Sequence, residues 1–357
     1  MSSQLDILAL EPFYGGARKA MLEAVIRTSR HRWTLLKLPP RRIERRLAAA
    51  AQWFSEQLSR HWAGRTDMLF TSEAMNLTDL FRLMPQLARK PSVVYFHDNE
   101  LPEPTVTKTT PLHLVNLTTA RAATEIWFNS LWHLRAFLVR ASALVDRHPE
   151  LAATRPMPEI TAKAQLMPPP TDFGLLQDLA PRAAARDPRT IFVDTRGADI
   201  VLLNATLKLL AKRNMAYRLV TVGPVEGLGD DIARRTVSER DEAAQVIALR
   251  EAGVYLSTRP RTNADHHAVR ALAVGAWPVL PRSGVYPELI PPGLHTLCLY
   301  DKATPDDVVS RLQLFWTTEA PDHRDDVRHV LKKFDAASAG RAFDERIEQL
   351  VVGHSVR

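Results

Sequence analysis

The sequence predicts an α/β protein built from two doubly wound units, each with a parallel sheet covered by helices. Its 357 residues exceed the usual size of a single domain. Short apolar runs rich in β-branched and aromatic residues alternate with helix-period stretches, and this pattern occurs twice along the chain. We therefore expect two domains, residues 1–170 and 171–357, with a ligand cleft between the carboxyl ends of the two sheets.

In the first half, short apolar runs predict strands at residues 6–10, 68–71, 93–96 and 126–128. Side chains at helical spacing follow three of these runs, and we interpret each set as the buried face of a helix. The three faces are Met21, Ala24, Val25 and Thr28; Leu77, Leu80, Phe81 and Met84; and Leu131, Leu134, Leu138 and Ala141.

Residues 146–189 lack a long periodic pattern and contain the run Met167-Pro168-Pro169-Pro170, so the interdomain linker is predicted there. Beyond it, strands are expected at 190–194, 217–222, 254–257, 277–280 and 296–300, the second of which ends in Gly223-Pro224. Helices are expected at 200–210, 264–274, 305–317 and 323–348.

Composition excludes several classes of protein. Hydrophobic residues make up 45% and charged residues 24%, which is typical of a soluble globular chain. No apolar run approaches the roughly 20 residues that cross a bilayer, and the start lacks the features of a signal peptide, so we expect no membrane span and a cytoplasmic location. Cys298 is the only cysteine, which excludes an intramolecular disulfide and a thiolate metal cluster.

The net charge of +7 would attract a polyanion such as RNA, a nucleotide or an anionic membrane surface, although it can also reflect genomic base content. Arg41, Arg42, Arg45 and Arg46 lie at a predicted helix start, where they could form one cationic face for RNA phosphates. A solvated helix surface is the alternative interpretation.

The first predicted strand runs into Glu11-Pro12-Phe13-Tyr14-Gly15-Gly16, and a helix follows. Adjacent glycines let the backbone approach a ligand closely, and the helix N-terminus offers free amides to an anion or a sugar hydroxyl. The sequence therefore makes Tyr14, Gly15 and Gly16 candidate binding residues, with an ordinary tight turn as the alternative.

The third predicted strand ends in a polar cluster, His97-Asp98-Asn99. His97 could hydrogen-bond a sugar or phosphate, Asp98 could orient an acceptor hydroxyl, and Asn99 offers donors and acceptors. The alternatives are a structural His97 and an Asp98 that caps a helix. A metal site is not favoured, because one histidine and one carboxylate lack a recognisable third ligand.

Asn129 and Ser130 repeat this arrangement after the fourth predicted strand. Serine is also a common N-cap, and we favour that role for Ser130.

Four segments, 11–16, 76–80, 95–101 and 128–130, resemble successive motifs of the tRNA-queuosine α-mannosyltransferase family. Leu38-Pro39, Arg46 and Trp53-Phe54 extend the resemblance to about residues 5–172. The resemblance implies a GT-B fold with two Rossmann-like domains and transfer of mannose from GDP-mannose with retention of configuration. It also implies that the acceptor is queuosine at the wobble position of tRNA, with no cofactor beyond the nucleotide sugar and no metal.

The second half departs from the family pattern. Arg196 stands where a family arginine faces the donor diphosphate, but Val201 replaces the lysine that accompanies it. Thr262 and Arg270 replace two glutamates that lie over the nucleotide sugar in family members. Arginine only donates hydrogen bonds, so Arg270 would instead bind a phosphate or carboxylate of the donor. An altered donor, rearranged donor contacts and lost catalysis are three open alternatives.

Segments 277–281 and 286–288 resemble the closing motif of the family, which would place Tyr286 and Glu288 on the far lip of the site. The leading hypothesis is a retaining glycosyltransferase with His97, Asp98 and Asn99 as catalytic residues. The rivals are a GT-B enzyme with another donor or acceptor and a non-catalytic RNA- or nucleotide-binding protein. The candidate donor- and acceptor-binding residues are Tyr14, Gly15, Gly16, Asn129, Ser130, Arg196, Gly223, Arg270, Tyr286 and Glu288.

Overall fold

The computed structural model describes residues 4–61, 65–106, 108–223, 234–318 and 324–355. The chain divides into two compact units. Unit 1 contains Met1–Pro170 and Ala336–Arg357, and unit 2 contains Thr171–Asp335. The boundary after residue 170 coincides with the expected one, whereas the C-terminal helix packs on unit 1 instead of unit 2.

Unit 1 is a six-stranded parallel sheet in the order β2-β1-β3-β4-β5-β6, with helices between the strands. In chain order its elements are β1 Asp6–Glu11, α1 Gly16–Thr28, β2 Arg32–Lys37, α2 Ile43–His61, β3 Met68–Ser72, α3 Leu77–Leu83, α4 Pro85–Ala88, β4 Ser92–Phe96, α5 Pro111–Ala122, β5 Glu125–Phe128, α6 Leu131–Asp146, α7 Pro149–Ala152, α8 Pro156–Ala162 and β6 Ala164–Leu166.

Unit 2 is a second six-stranded parallel sheet in the order β12-β11-β10-β7-β8-β9. Its elements are α9 Phe173–Asp178, β7 Asp187–Asp194, α10 Ile200–Lys212, β8 Arg218–Val222, β9 Arg234–Val237, α11 Glu242–Glu251, β10 Ala252–Leu256, α12 His266–Val274, β11 Trp277–Pro281, α13 Tyr286–Leu289, α14 His295–Cys298, β12 Leu299–Tyr300, α15 Pro305–Thr317 and α16 Arg324–Leu331. The described residues of unit 2 also contain three single 3-10 turns, at Ala180–Arg182, Pro292–Leu294 and Lys332–Phe334.

The last helix, α17 Ala336–Ser355, completes the core of unit 1. Its Phe343 side chain is buried, with ring centroids 6.1 Å from Tyr95 and 5.1 Å from Trp127. The Asp344 carboxylate accepts hydrogen bonds from Ser29 Oγ at 2.6 Å and from the Arg30 amide at 2.8 Å. Apolar burial and these hydrogen bonds therefore assign the helix to unit 1.

Several expected boundaries differ from the structure. The predicted linker at 146–189 contains α7, α8, β6 and α9, so the crossing between the units is limited to the residues around Pro170 and Thr171. The strand expected at 296–300 is mostly α14, and the helix expected at 323–348 is interrupted between α16 and α17. Pro224 lies outside the described residues. Among the described residues, no helix is both long and apolar enough to cross a membrane.

Each sheet has one topological switch point, where the chain changes the side on which it adds strands. In unit 1 it lies between β1 and β3, and in unit 2 between β7 and β10. Doubly wound sheets bind ligands at such points, outside the carboxyl ends of the strands. Ligand-binding residues are therefore expected at or just after the carboxyl ends of β1, β3, β7 and β10.

Candidate functional site

The switch point of unit 1 holds two buried carboxylates and one arginine. Glu11 ends β1, and its Oε1 accepts hydrogen bonds from the Phe13 amide at 2.7 Å and from Ser72 Oγ at 2.9 Å. Glu73 follows β3 and forms an ion pair with Arg18, which lies in the first turn of α1. Both carboxylates are 3% exposed, so the arginine supplies the charge that their burial requires.

Burial dominates the electrostatics of this pair of carboxyl groups. It raises the pKa of Glu11 to about 7, although the charge of Arg18 opposes the shift. Burial also raises the pKa of Glu73, against the charge of Arg18 and the hydrogen bond from the His97 amide. Two buried acidic groups beside one arginine thus lie at the switch point of unit 1.

Glu73 fixes the polar cluster that follows β4. Its Oε2 accepts the His97 amide at 3.1 Å, and its Oε1 accepts the Asp98 amide at 3.0 Å. The His97 ring lies against Tyr95, with centroids 4.6 Å apart. Burial, together with the charge of Arg18, lowers the pKa of His97 well below its ordinary value. His97 is therefore a neutral imidazole near pH 7, and its Nε2 has no hydrogen-bond partner in the described parts of the chain.

Asn99 and Asn129 are joined through a histidine that the sequence did not single out, His133 of α6. The Oδ1 atom of Asn99 accepts the Leu101 amide at 3.2 Å, so its Nδ2 faces His133 Nε2 at 3.0 Å. Asn129 donates from Nδ2 to the His97 carbonyl at 2.9 Å, so its Oδ1 faces His133 Nδ1 at 3.0 Å. The proton of His133 must therefore lie on Nδ1.

This network keeps His133 neutral. Burial, followed by the charge of Arg140, lowers the pKa of His133 to about 3. A neutral ring can accept from Asn99 and donate to Asn129 at once, which a protonated ring cannot do. His133 thereby fixes both amides, whereas Asn99 and Asn129 were the residues expected to bind a ligand directly.

Asp98 and Ser130 were each expected either to cap a helix or to bind a ligand, and the structure shows which of them is a cap. The Asp98 side chain is exposed, and its Oδ1 accepts the Asn99 amide at 2.9 Å. Asp98 is not the cap of α5, the next helix in the described part of the chain, because α5 begins at Pro111 and its N-cap is Thr110. Ser130 is the N-cap of α6 and accepts the His133 amide at 3.1 Å, which confirms the favoured cap interpretation.

The glycine turn after β1 lies directly against the arginine-rich segment. A side chain at Gly15 would come within 2.5 Å of the Pro40 ring, and Gly16 has a φ of +52° with open space where a Cβ would stand. The Tyr14 amide donates to the Leu38 carbonyl at 2.9 Å, and Lys37 Nζ lies 4.2 Å from the Tyr14 ring centroid. Only glycine therefore fits the first position, because the β2–α2 connection packs onto this turn.

The four arginines expected on one helical face are distributed differently. Arg41 and Arg42 precede α2, which begins at Ile43, and Arg42 has a left-handed φ of +48°. Arg41, Arg42 and Arg45 are exposed, whereas Arg46 donates from Nη2 to the Pro39 carbonyl at 2.8 Å. The segment therefore presents three arginines to solvent beside the glycine turn, and Arg46 instead supports the local backbone.

In unit 2, Asp194 is the centre of the switch point. It ends β7, is 4% exposed and binds Arg196 through both carboxylate oxygens, at 2.9 Å to Nε and 2.8 Å to Nη2. It also pairs with Arg259, which follows β10, and accepts from His267 Nδ1 at 2.9 Å. Burial opposes ionisation of Asp194, but the hydrogen bonds from His267 and Arg196 hold its pKa well below the ordinary range.

This arrangement leaves Arg196 available for an anion. Its side chain is 43% exposed, and its Nη1 has no hydrogen-bond partner among the described residues. Gly223 directly follows β8 on the same sheet edge and has a φ of +82°. Val201, the residue at the lysine position, is 81% exposed in the first turn of α10.

Tyr286 and Glu288 do not form a common lip. Tyr286 is fully buried, and its hydroxyl lies 2.6 Å from Ser257 Oγ and 2.8 Å from Asp265 Oδ2. Tyr255 donates to the same Asp265 oxygen at 2.7 Å, so Tyr286 is part of the packed core behind the edge. Glu288 is partly exposed in α13. The structure therefore places the Tyr286 side chain in the core, whereas the family resemblance implied a position on the lip of the site.

Arg270 also differs from the expectation. Its side chain is 5% exposed and pairs with Glu242 of α11, so the described structure gives it a protein carboxylate instead of a donor phosphate. Thr262 Oγ1 donates to the Ala264 carbonyl at 3.0 Å, which occupies the hydroxyl within its own loop.

Comparison with known proteins identifies this arrangement. The sequence model described as "tRNA-queuosine alpha-mannosyltransferase N-terminal" matches residues 6–171, the segment that carries the Glu11–Glu73–His97 cluster. A tRNA-queuosine alpha-mannosyltransferase of Drosophila melanogaster is 25% identical over 321 residues, which are 80% of this chain and 81% of the relative. The chain carries the N-terminal domain of the tRNA-queuosine α-mannosyltransferase family over residues 6–171 and resembles one member along most of its length.

Solved structures show the fold of the whole chain. A UDP-forming trehalose-phosphate synthase from Burkholderia xenovorans aligns with a TM-score of 0.69 at 11% identity, covering 97% of this chain and 99% of that one. Starch synthase IV from Arabidopsis thaliana aligns with a TM-score of 0.66 at 9% identity, covering 99% of this chain and 100% of that one. These likenesses, with two parallel six-stranded sheets, show the GT-B fold.

Sequence reasoning missed three residues of unit 1 that organise the candidate site, namely Arg18, Glu73 and His133. Glu73 directly follows a strand in which every residue is buried, and a charged residue in that place is a signal that could have been used. His133 lies inside α6, where local sequence does not reveal the partners that its ring meets.

Proposed function

We propose that this chain transfers mannose from GDP-mannose to queuosine in tRNA, with retention of configuration, in the cytoplasm. The observation that carries the proposal is the family match over residues 6–171, because that segment also contains the polar cluster of the first switch point. The relative over most of the chain is named for the same reaction.

The geometry of each unit supports a role in this reaction. In sugar transfer, the bond between the sugar carbon and the diphosphate breaks, and a bond to the acceptor oxygen forms as the hydroxyl loses its proton. The departing diphosphate gains negative charge, which the exposed guanidinium of Arg196 can stabilise at the edge of unit 2. The exposed carboxylate of Asp98 and the neutral ring of His97 can orient the acceptor hydroxyl in unit 1.

Mass spectrometry of tRNA nucleosides tests the proposal. Queuosine-containing tRNA is incubated with the protein and one nucleotide sugar in each of four reactions. The four nucleotide sugars are GDP-mannose, UDP-glucose, UDP-galactose and ADP-glucose. We expect a gain of one hexose on queuosine with GDP-mannose alone. A gain of mass with another nucleotide sugar would show that GDP-mannose is not the donor. No gain with any of the four would favour the alternative of a non-catalytic RNA- or nucleotide-binding protein.

Replacing Arg196 with alanine is expected to weaken binding of GDP-mannose by about 1.5 to 3 kcal/mol, the usual size of a hydrogen bond to a charged group. Isothermal titration calorimetry measures the change. Arg213→Ala is the matched control, because Arg213 is a similarly exposed arginine of unit 2 that pairs with Asp306. Equal affinities for the parent and Arg196→Ala would remove Arg196 from the donor site.

The exposed arginines beside the glycine turn are expected to contact tRNA phosphates. Replacing Arg41, Arg42, Arg45 and Arg46 with glutamine should weaken tRNA binding and reduce the slope of log affinity against log salt by about one per lost phosphate contact. Because Arg46 is bonded to Pro39, we expect it to contribute least.

The matched control for this variant removes the same charge at the amino edge of the sheet, where Arg32, Arg65, Arg89 and Lys90 begin or precede strands. Fluorescence anisotropy with labelled tRNA at several salt concentrations gives both slopes. If the two variants have the same slope as the parent, the arginine segment is only a solvated surface.

A further inference from the structure

Two contacts join the helices α11 and α12 in unit 2. Glu242 pairs with Arg270, and Gln245 Oε1, one turn later in α11, lies 3.0 Å from Nε2 of His267, one turn earlier in α12. The second contact continues through His267 to Asp194, which binds Arg196. Because α11 follows β9, its first turn lies at the carboxyl edge of the sheet, the edge that carries Asp194.

The Glu242–Arg270 pair is unequal in its burial. The Arg270 side chain is 5% exposed, whereas that of Glu242 is 53% exposed. Arg270 bonds to Oε1 of Glu242, and Oε2 has no hydrogen-bond partner among the described residues. An exposed glutamate ordinarily samples several rotamers, but a buried guanidinium that cannot move holds this one in place. The result is a fixed acceptor oxygen that faces solvent.

A pair that served only packing would be expected to satisfy the buried partner fully. Instead, Nε of Arg270 is buried without a hydrogen-bond partner in the described structure. A buried donor without a hydrogen bond lowers the stability of the fold, and an apolar side chain at this position would avoid that loss. The pair does, however, fix the position of the Glu242 carboxylate.

Of the residues in the two contacts and in the extension to Arg196, the exposed charged groups are the Arg196 guanidinium and the Glu242 carboxylate. A guanidinium suits the anionic diphosphate of a nucleotide sugar, and a carboxylate suits groups that only need an acceptor, such as the vicinal hydroxyls of a ribose. We propose that Glu242 accepts hydrogen bonds from the ribose hydroxyls of the donor nucleotide and that Arg270 is the positioning residue that fixes its carboxylate. The inference rests on the proposed function, which places a nucleotide sugar in unit 2.

The test compares GDP with 2′,3′-dideoxy-GDP by isothermal titration calorimetry. In the parent, we expect GDP to bind at least ~10-fold more tightly than the dideoxy nucleotide, since a hydrogen bond to a charged group is lost. In Glu242→Gln, GDP should lose that advantage, while the affinity for the dideoxy nucleotide stays within about 2-fold of the parent. Comparing the ratio of the two nucleotide affinities between the parent and Glu242→Gln isolates the contact between carboxylate and ribose, because a general effect on the fold would change both affinities alike.

Glu251→Gln is the matched control, because Glu251 pairs with Arg235 at the other end of the same helix, about 14 Å away at 1.5 Å per residue. Arg270→Lys is the second variant, which keeps the charge but not the fork that fixes the carboxylate. It should weaken GDP binding and leave the dideoxy nucleotide unchanged. Thermal unfolding of each variant shows that it is folded.

The outcomes separate this inference from the proposed function. If the parent binds GDP but Glu242→Gln binds GDP as tightly, or loses affinity for both nucleotides equally, Glu242 does not contact the ribose and the inference is overturned. The proposed donor then still stands. If the parent binds neither GDP nor GDP-mannose, the proposed donor and the inference fall together.

Discussion

Replacing His97 or Asp98 with alanine is expected to lower the rate of sugar transfer to tRNA at least ~100-fold, the usual scale for a positioned polar group in catalysis. Glu73 holds the backbone amides of both residues, so their side chains start from one fixed turn. The His97 ring is neutral, since burial and the charge of Arg18 lower its pKa, and its Nε2 has no partner among the described residues. Single-turnover transfer to queuosine-containing tRNA measures the rate.

Two controls distinguish catalysis from damage to the turn. Asp98→Asn keeps an oxygen for the Asn99 amide but removes the charge, so we expect it to lose nearly as much activity as Asp98→Ala. His148→Ala removes a histidine of the same unit that lies near Glu150 and should leave the rate unchanged. Full activity of His97→Ala, with its fold intact, would make His97 a structural residue.

The second large effect is expected on stability. Asp194→Asn should lower the free energy of unfolding by about 3 kcal/mol at pH 7, because it removes the carboxylate charge beside His267 and leaves the buried Arg259 only the more distant Asp265, at 3.8 Å. The contribution also depends on pH. The folded pKa of Asp194 lies well below its unfolded value, so its stabilisation is present above about pH 4 and is lost as the pH falls towards the folded pKa.

Urea denaturation between pH 7 and pH 3 checks both statements. The parent should lose its advantage over Asp194→Asn progressively below pH 4. Asp306→Asn is the control, because it removes the partner of Arg213 in an exposed pair, which should be worth less than about 1 kcal/mol. A constant difference between the parent and Asp194→Asn across this range would contradict the depressed pKa.

The sequence predicted the central strands well because their burial is visible in local composition. Every residue of β4 and β10 is buried, and both runs are apolar almost throughout. The edge strands β2 and β9 were missed, since most of their side chains are exposed and β9 begins Arg234-Arg235-Thr236. An edge strand needs only one neighbour, so its residues carry no continuous apolar signal.

The candidate site was predicted in part for a related reason. His97, Asp98 and Asn99 follow an apolar strand directly, and a polar residue in that place is conspicuous in a sequence. Arg270 was identified by its departure from the family pattern, but its partner Glu242 lies 28 residues earlier, and only the packing of two helices brings them together. Pairings of this kind depend on tertiary structure and cannot be read from local periodicity.

The position of α17 has a consequence for synthesis of the chain on the ribosome. All of unit 2 is translated before α17, while the strands that α17 covers, including Tyr95 of β4 and Trp127 of β5, are translated long before it. Domains generally fold as units while the chain emerges. Unit 2 is therefore the first to possess every residue of its own core, and unit 1 must keep an aromatic surface uncovered through the translation of about 165 residues before Phe343 closes it.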